Sequence, residues 1–218
     1  GHYSFSLFWQ KFTSRAIWDL NCLGGELSCG VAWNSLWMAV LVGATTTLLG
    51  LAFALLVTRT GIQAKAFIRV SSLLPIITPP FVIGLALILL FGRSGALNGF
   101  LEWAFGIPPT RWIYGLPGIW LAQTLAFTPI AFLVLIGVVE GVSPSMEEAS
   151  QTLRASHWQT FWTVSLPPMR PGIANAFLLG FIESLADFGN PLVLGGSYEV
   201  LSTQIFFAIA GAQADQGM

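Results

Sequence analysis

The chain has 218 residues, 9 of them Lys or Arg and 10 Asp or Glu, for a net charge of −1 at pH 7. Charged residues make up 9% and hydrophobic ones 55%, against about 25% charge in an ordinary soluble domain. So little charge cannot cover a soluble globule, and a balanced charge attracts no polyanion, which excludes most soluble enzymes, nucleic-acid binders and disordered chains.

The solvent that remains is a bilayer, whose core of about 30 Å takes about 20 apolar residues as a helix. Residues 1–32 read as an N-terminal segment on the outer side, and 33–218 as the transmembrane domain. Cys22 and Cys29 fall in the outer segment, where two readings stand open, a disulfide or two buried thiols. No charge occurs between Glu26 and Arg59, so the first span takes about 34–57. Arg59, Lys65 and Arg69 follow it and mark a cytoplasmic loop. The second span takes about 72–91 and opens on Pro75, Pro79 and Pro80. Each proline removes an N–H donor. Either a broken helix lines a pathway there, with Thr78 helping to satisfy freed carbonyls, or the helix is kinked at its entry.

The loop from Arg93 to Gly115 then faces out, with Trp103, Trp112 and Tyr114 suited to a headgroup-level belt. The third span takes about 116–139, with Pro129 as a kink. Residues 141–170 return to the cytoplasm with Arg154 and Arg170. A fourth span, about 171–194, is interrupted by Glu183 and Asp187, which are four apart and share a helix face. Intramembrane carboxylates face a cavity or a partner, so Glu183 is a pathway or inter-subunit candidate. Asp187, beside Gly189-Asn190-Pro191, is better read as the end of the helix. Residues from about 200 to 212 are apolar but too short to span, and read as an outer or interfacial helix. No alternation of the strand type appears, so the fold class is all-α, a polytopic helical bundle. With no initiator Met and a first span entered from outside, the chain is expected to be incomplete at both ends.

The 141–170 loop carries the most information. Ser143-Pro144 is a helix start, with Ser as N-cap and Pro at the first helical position. Ser145 to Glu148 also fits a capping box, with Glu147 and Glu148 in the first turn. Met146, Ala149 and Leu153 share one face. Ser156 to Gln159 forms a second capping box, followed by a Trp158, Phe161, Trp162 stripe. Leu166-Pro167-Pro168 should end this second helix. Two short amphipathic helices joined at Arg154-Ala155 are therefore expected.

Here the sequence resembles a known family. Glu148-Ala149-Ser150, three residues, Arg154, nine residues, then Val164-Ser165-Leu166-Pro167 is similar to the EAA loop of permeases in binding-protein-dependent ABC importers. The family pattern has Gly where Arg154 stands. A Gly would permit a left-handed turn, which would cost Arg about 1–2 kcal/mol. The resemblance implies a MetI-like permease half whose Glu147, Glu148, Ala149, Ser150, Arg154, Ala155, Leu166 and Pro167 form coupling helices in a groove of the ATPase. The run from Glu183 to Gly196 and the order of spans most resemble the ferric-iron subgroup, which often fuses two halves. Permeases for aminoethylphosphonate, thiamine, sulfate or polyamines look similar.

The resemblance further implies a bacterial inner-membrane location, a dimeric ATPase partner, a second permease half, fused or separate, and a periplasmic binding protein. No Walker loop occurs in the sequence, so no cofactor is expected on this chain and ATP with magnesium belongs on the partner. No catalytic constellation and no metal-ligand spacing is found, His2 and His157 being far apart, and no nucleic acid is expected. A transporter driven by an ion gradient is the main rival. It would need ionisable relays in several spans, where only Glu183 and Asp187 qualify. Thr78, Pro79, Pro80, Glu183 and Asp187 are the pathway candidates.

Overall fold

A computed structural model describes residues 9, 13, 15–19, 30–60 and 78–216. His2, Cys22, Cys29, Lys65, Arg69, Pro75 and the opening of the expected second span lie outside the described residues. Every regular element among the described residues is helical. They are α1 (Arg15–Trp18), α2 (Val31–Arg59), α3 (Pro80–Phe91), α4 (Ala96–Phe105), α5 (Leu116–Glu140), α6 (Pro144–Thr152), α7 (His157–Thr160), a π turn (Phe161–Ser165), α8 (Leu166–Ala186), α9 (Gly189–Leu194) and α10 (Leu201–Gln216). Three segments are long and apolar enough to cross a membrane: α2, the stretch Pro80–Phe105 that holds α3 and α4, and α5.

The first and third expected spans correspond to α2 and α5, and Pro129 sits inside a continuous α5. Of the second, residues 72–77 lie outside the described residues. Pro79 is extended (φ −56°, ψ 137°) and Pro80 is the first residue of α3. A proline pushes the residue before it out of the α region, and at the first helical position its missing N–H costs nothing. Residues 93–115 are not a plain loop. After a turn at Gly92–Gly95 the chain is helical again over α4. Asn98 makes the turn viable. Its buried Nδ2 donates to Gly92 O at 2.8 Å, Thr110 O at 3.2 Å and Phe91 O at 3.4 Å, so carbonyls left over at the end of α3 find a donor.

Two corrections concern α8. The second loop helix does not stop at Leu166-Pro167-Pro168. The chain stays helical from His157 through Ala186, by way of the π turn. A proline at 167 has no N–H to offer Thr163, and its ring would strike that carbonyl. The wider π turn ends at Leu166, whose amide bonds back to Phe161 O, and so delivers the prolines to the first turn of α8. The fourth expected span also breaks at Asp187-Phe188, and α9 is a separate short helix. α8 is not among the three segments that are long and apolar enough to cross a membrane.

The chain divides into two compact units. The first comprises 1–41, 79–123 and 184–218. In it the start of α10 is tied to the start of α2: the Tyr198 hydroxyl donates to Asn34 O at 2.9 Å, Asn34 Nδ2 to Glu199 O at 3.1 Å, and the Leu201 amide to Ser35 Oγ at 2.7 Å. Burial pushes the Tyr198 phenol up to about 12 from 10.0. The second unit comprises 42–78 and 124–183. Its core holds Ala54 and Val57 of α2, Phe132, Leu135, Ile136 and Val139 of α5, and Met169 and Ala176 of α8. α2 and α5 meet closely because Gly50 has no side chain: a Cβ there would lie 2.9 Å from the Ala131 carbonyl carbon and the Phe132 nitrogen. Such small-residue contacts let backbones approach where apolar burial alone gives no drive.

Gly50→Ala is expected to lower the melting temperature of detergent-solubilised protein, at a cost of about 1–3 kcal/mol. Gly137→Ala, where an added Cβ meets nothing within 4 Å, should leave it unchanged or slightly raised. Because the Tyr198 phenol is raised, the stability its neutral form contributes is fully present below pH 10.0 and lost as pH climbs toward about 12. Alkaline titration followed by circular dichroism should show that limb in the wild type and a flatter one in Tyr198→Phe.

Candidate functional site

An ion pair ties the first loop helix, α6, to the ends of α2 and α5. Glu147 lies in the first turn of α6, where the helix dipole favours an anion. Its Oε1 accepts from Ser165 Oγ at 2.7 Å and lies 3.1 Å from Arg59 Nη2. The same Arg59 nitrogen donates to Val142 O at 3.1 Å and Val139 O at 3.3 Å. A cation is favoured among the terminal carbonyls of a helix, here those of α5. Arg59 therefore joins the last residue of α2, the end of α5 and the first turn of α6. Only about a quarter of its side chain is exposed (26%), and a fifth of that of Glu147 (20%), so the pair is worth more than a fully solvated one.

Ser143 occupies the N-cap position of α6, but its hydroxyl pairs with Ser145 Oγ at 2.7 Å and makes no cap bond. The expected box from Ser145 to Glu148 does not form either, since Ser145 is already inside the helix. The second box does form: the Gln159 amide donates to Ser156 Oγ at 3.2 Å and the Ser156 amide to Gln159 Oε1 at 2.9 Å. Ser150 links the two helices through Thr160 Oγ1 at 2.7 Å.

Between them, the Ala155 amide bonds to Ser150 O at 3.2 Å and the Arg154 amide to Gln151 O at 2.9 Å. This is the six-to-one and five-to-two pattern of a Schellman end, which requires a left-handed residue. Arg154 is that residue, at φ 63°, the one non-glycine with positive φ among the described residues. The turn thus keeps the glycine geometry and the arginine bears its cost. Met146, Glu148, Ala149, Leu153 and Trp158 remain exposed, Leu153 to 84%. Trp158, Phe161 and Trp162 form the expected aromatic cluster, with ring centroids 5.5 to 6.2 Å apart. Leu166 and Pro167 stand at the opening of α8, Leu166 half-buried and Pro167 exposed.

The other constellation closes the break after α8. Asp187 Oδ1 accepts from the amides of Gly189 at 3.1 Å and Asn190 at 3.4 Å. Its Oδ2 accepts from Gln123 Nε2 at 2.8 Å and Asn190 Nδ2 at 2.9 Å, and its carbonyl from Ser202 Oγ at 2.9 Å. Gln123 Oε1 in turn accepts from Ser184 Oγ at 2.7 Å. This supports the helix-end reading of Asp187. Gly189 brings α9 close to the opening of α3, since a Cβ there would be 2.8 Å from that of Phe81. Phe188 packs on Phe206 of α10 at 4.6 Å between ring centroids. The structure thus brings the start at Pro79-Pro80 near the break at Asp187. Glu183 stands apart, exposed on α8. Sequence reasoning missed Gln123 and Asn98. The signal for Gln123 was present as an amide in an otherwise apolar span.

Over residues 46–217 the chain matches the family of the binding-protein-dependent transport system inner membrane component. The chain belongs to this family. It is therefore a transport component of the inner membrane type, with the helical permease fold expected. The ferric transport system permease protein FbpB of Actinobacillus pleuropneumoniae is 48% identical over 96% of the chain and 31% of that protein. The putative ferric transport system permease protein FbpB 1 of Haemophilus influenzae is 52% identical over 96% of the chain and 33% of that protein. The chain thus spans about a third of the length of these two relatives. The molybdenum transport system permease protein ModB of Escherichia coli is 31% identical over 72% of the chain and 69% of that protein. A crystal structure of a bacterial alginate ABC transporter, in complex with its alginate pentasaccharide-bound periplasmic protein, superposes with a TM-score of 0.69. It does so at 19% identity over 97% of this chain and 74% of that one, which shows the shared fold.

Restoring the family glycine is the direct check on the turn. Arg154→Gly should raise the melting temperature by relieving about 1 kcal/mol of backbone strain, whereas Arg154→Val should lower it.

Proposed function

We propose that this chain is the transmembrane permease portion of a bacterial ABC importer that moves ferric iron into the cytoplasm. Identity of 48% and 52% to ferric permeases over nearly the whole chain carries this reading. Sulfate and molybdenum permeases share only 31% to 33% and are the second reading. A periplasmic binding protein would deliver the iron, and ATP with magnesium would be hydrolysed on a separate, dimeric ATPase. A second permease half, fused or separate, would complete the pathway.

The coupling face is α6 and α7. Glu148, Ala149 and Leu153 are exposed there and offer an acid and two apolar groups to a groove. Arg154 holds the two helices at a set angle, and Ser150 and Ala155 secure the turn. A push on this face would reach α2 and α5 through Arg59 and Glu147, and α8 directly, because helix continues from α7 through the π turn. Motion of packed helices as rigid bodies suits alternating access. Glu183, whose exposure on α8 supports this reading, would meet a cation or the second half. Thr78, Pro79 and Pro80 would border the pathway where α3 begins.

The test is uptake of radiolabelled ferric iron by cells carrying the full-length protein. Deletion should abolish ferric uptake and leave sulfate and molybdate uptake intact. Intact ferric uptake would overturn the substrate. Glu183→Gln should reduce transport with normal assembly. A cysteine replacing Glu148 should crosslink to the ATPase, and its failure to do so at every linker length would overturn the coupling face. Arg59→Ala should uncouple ATP hydrolysis from transport while Arg59→Lys retains part of both.

A further inference from the structure

Arg93 lies in the turn between α3 and α4, and Arg111 in the segment between α4 and α5. Both are exposed, and among the described residues neither has a carboxylate within ion-pair distance. The two converge on one cavity of about 660 Å³, lined otherwise, among the described residues, by Tyr114, Gly196 and Ser197. Two guanidiniums around one cavity repel each other unless an anion lies between them. Among the described residues no carboxylate lines it.

The rest of the lining adds donors. Tyr114 and Ser197 are hydroxyl-bearing residues of the lining. Gly196 and Ser197 are the central residues of a turn closed by the Tyr198 amide on Gly195 O at 2.8 Å, with Gly196 at φ 57°. The amides of central turn residues are not used by the turn itself. Among the described residues neither of these amides donates to a backbone carbonyl outside the helices. Two forked cations, two hydroxyls and a glycine turn describe a receptor for a tetrahedral oxyanion.

The neighbourhood indicates the source. Phe100, Trp103 and Phe105 on α4, and Trp112 beside Arg111, are exposed, Trp103 to 83%. Exposed aromatic residues next to arginines are the pattern of the headgroup level of a bilayer, where amphipathic rings and cations sit together. A cavity of this volume is also roomier than a lone phosphate needs. We propose that the Arg93–Arg111 cavity binds a phosphate-class oxyanion, with an anionic phospholipid headgroup as its source. The site anchors the α3–α4 turn to lipid, and it stands independently of which solute is transported.

The experiment uses the full-length permease purified with its partner subunits, probed by native mass spectrometry and by thermal shift. The probes are phosphatidylglycerol, phosphatidylcholine and inorganic phosphate, each titrated separately. Wild type should retain and be stabilised by phosphatidylglycerol over phosphatidylcholine. Arg93→Gln and Arg111→Gln should each weaken that binding about tenfold or more, with unliganded melting temperatures unchanged. Arg93→Lys, which keeps charge but not the fork, should weaken it less, and it serves as the folded control. Binding of inorganic phosphate that both Gln variants lose, without a phosphatidylglycerol preference, would uphold the oxyanion site and replace the lipid by a soluble source. If neither probe binds, or binding is indifferent to both Gln variants, the proposal is overturned. It is overturned equally if the variants impair only capture of the periplasmic protein, which would make the arginines a protein-docking patch.

Discussion

A helix end leaves backbone groups without partners, and in or beside a bilayer core little water is at hand to take them, so the protein itself must supply the partners. This constraint organises the structure. At the end of α3 the amide of Asn98 reaches back to Phe91 and Gly92. At the end of α5 the guanidinium of Arg59 covers the carbonyls of Val139 and Val142. At the end of α8 the carboxylate of Asp187 collects two amides of α9 and two side-chain donors. Pro80 begins a helix where no donor is needed. Asn98, Arg59 and Asp187 therefore stand where helices stop.

The same economy fixes the geometry of the loop. A solvent-exposed pair of short helices would be too weak to hold a fixed angle by propensity alone. Here α6 is tied inward by Glu147, to α7 by Ser150, and α7 runs without a break in helicity into α8. The strain at Arg154 is retained within a turn whose hydrogen bonds over-determine it.

Much of this was legible in the residues. The charge-free run up to Arg59 and the apolar run from Leu116 became α2 and α5, because a stretch that must exclude water has almost no other conformation available. The spacing from Glu148 to Pro167 indicated the loop pair, and Ser156 with Gln159 formed its box as local chemistry dictates. Other readings failed where distant residues decide. Ser143 and Ser145 look like caps in isolation, yet they bond to each other while Glu147 turns toward Arg59, 88 positions away in a count from 59 to 147. The prolines at 167 and 168 read as a stop, but a π turn carries the helix past them. Residues 93–115 read as a loop, but Asn98 supports a further helix there.

The sequence by itself determined the solvent, the family, the helical class and the place of the loop. Each of these follows from composition or from short spacings, which act through local backbone geometry and burial. Only the tertiary structure decided which carboxylates are tied. Glu147 and Glu148 are adjacent and chemically alike, but one is paired with Arg59 and the other is exposed. Glu183 and Asp187 share a helix face by spacing, but one stands exposed and the other closes a break. A carboxylate's role depends on which donors reach it, and those donors, Arg59, Ser165 and Gln123, arrive from other helices through packing that no local pattern encodes.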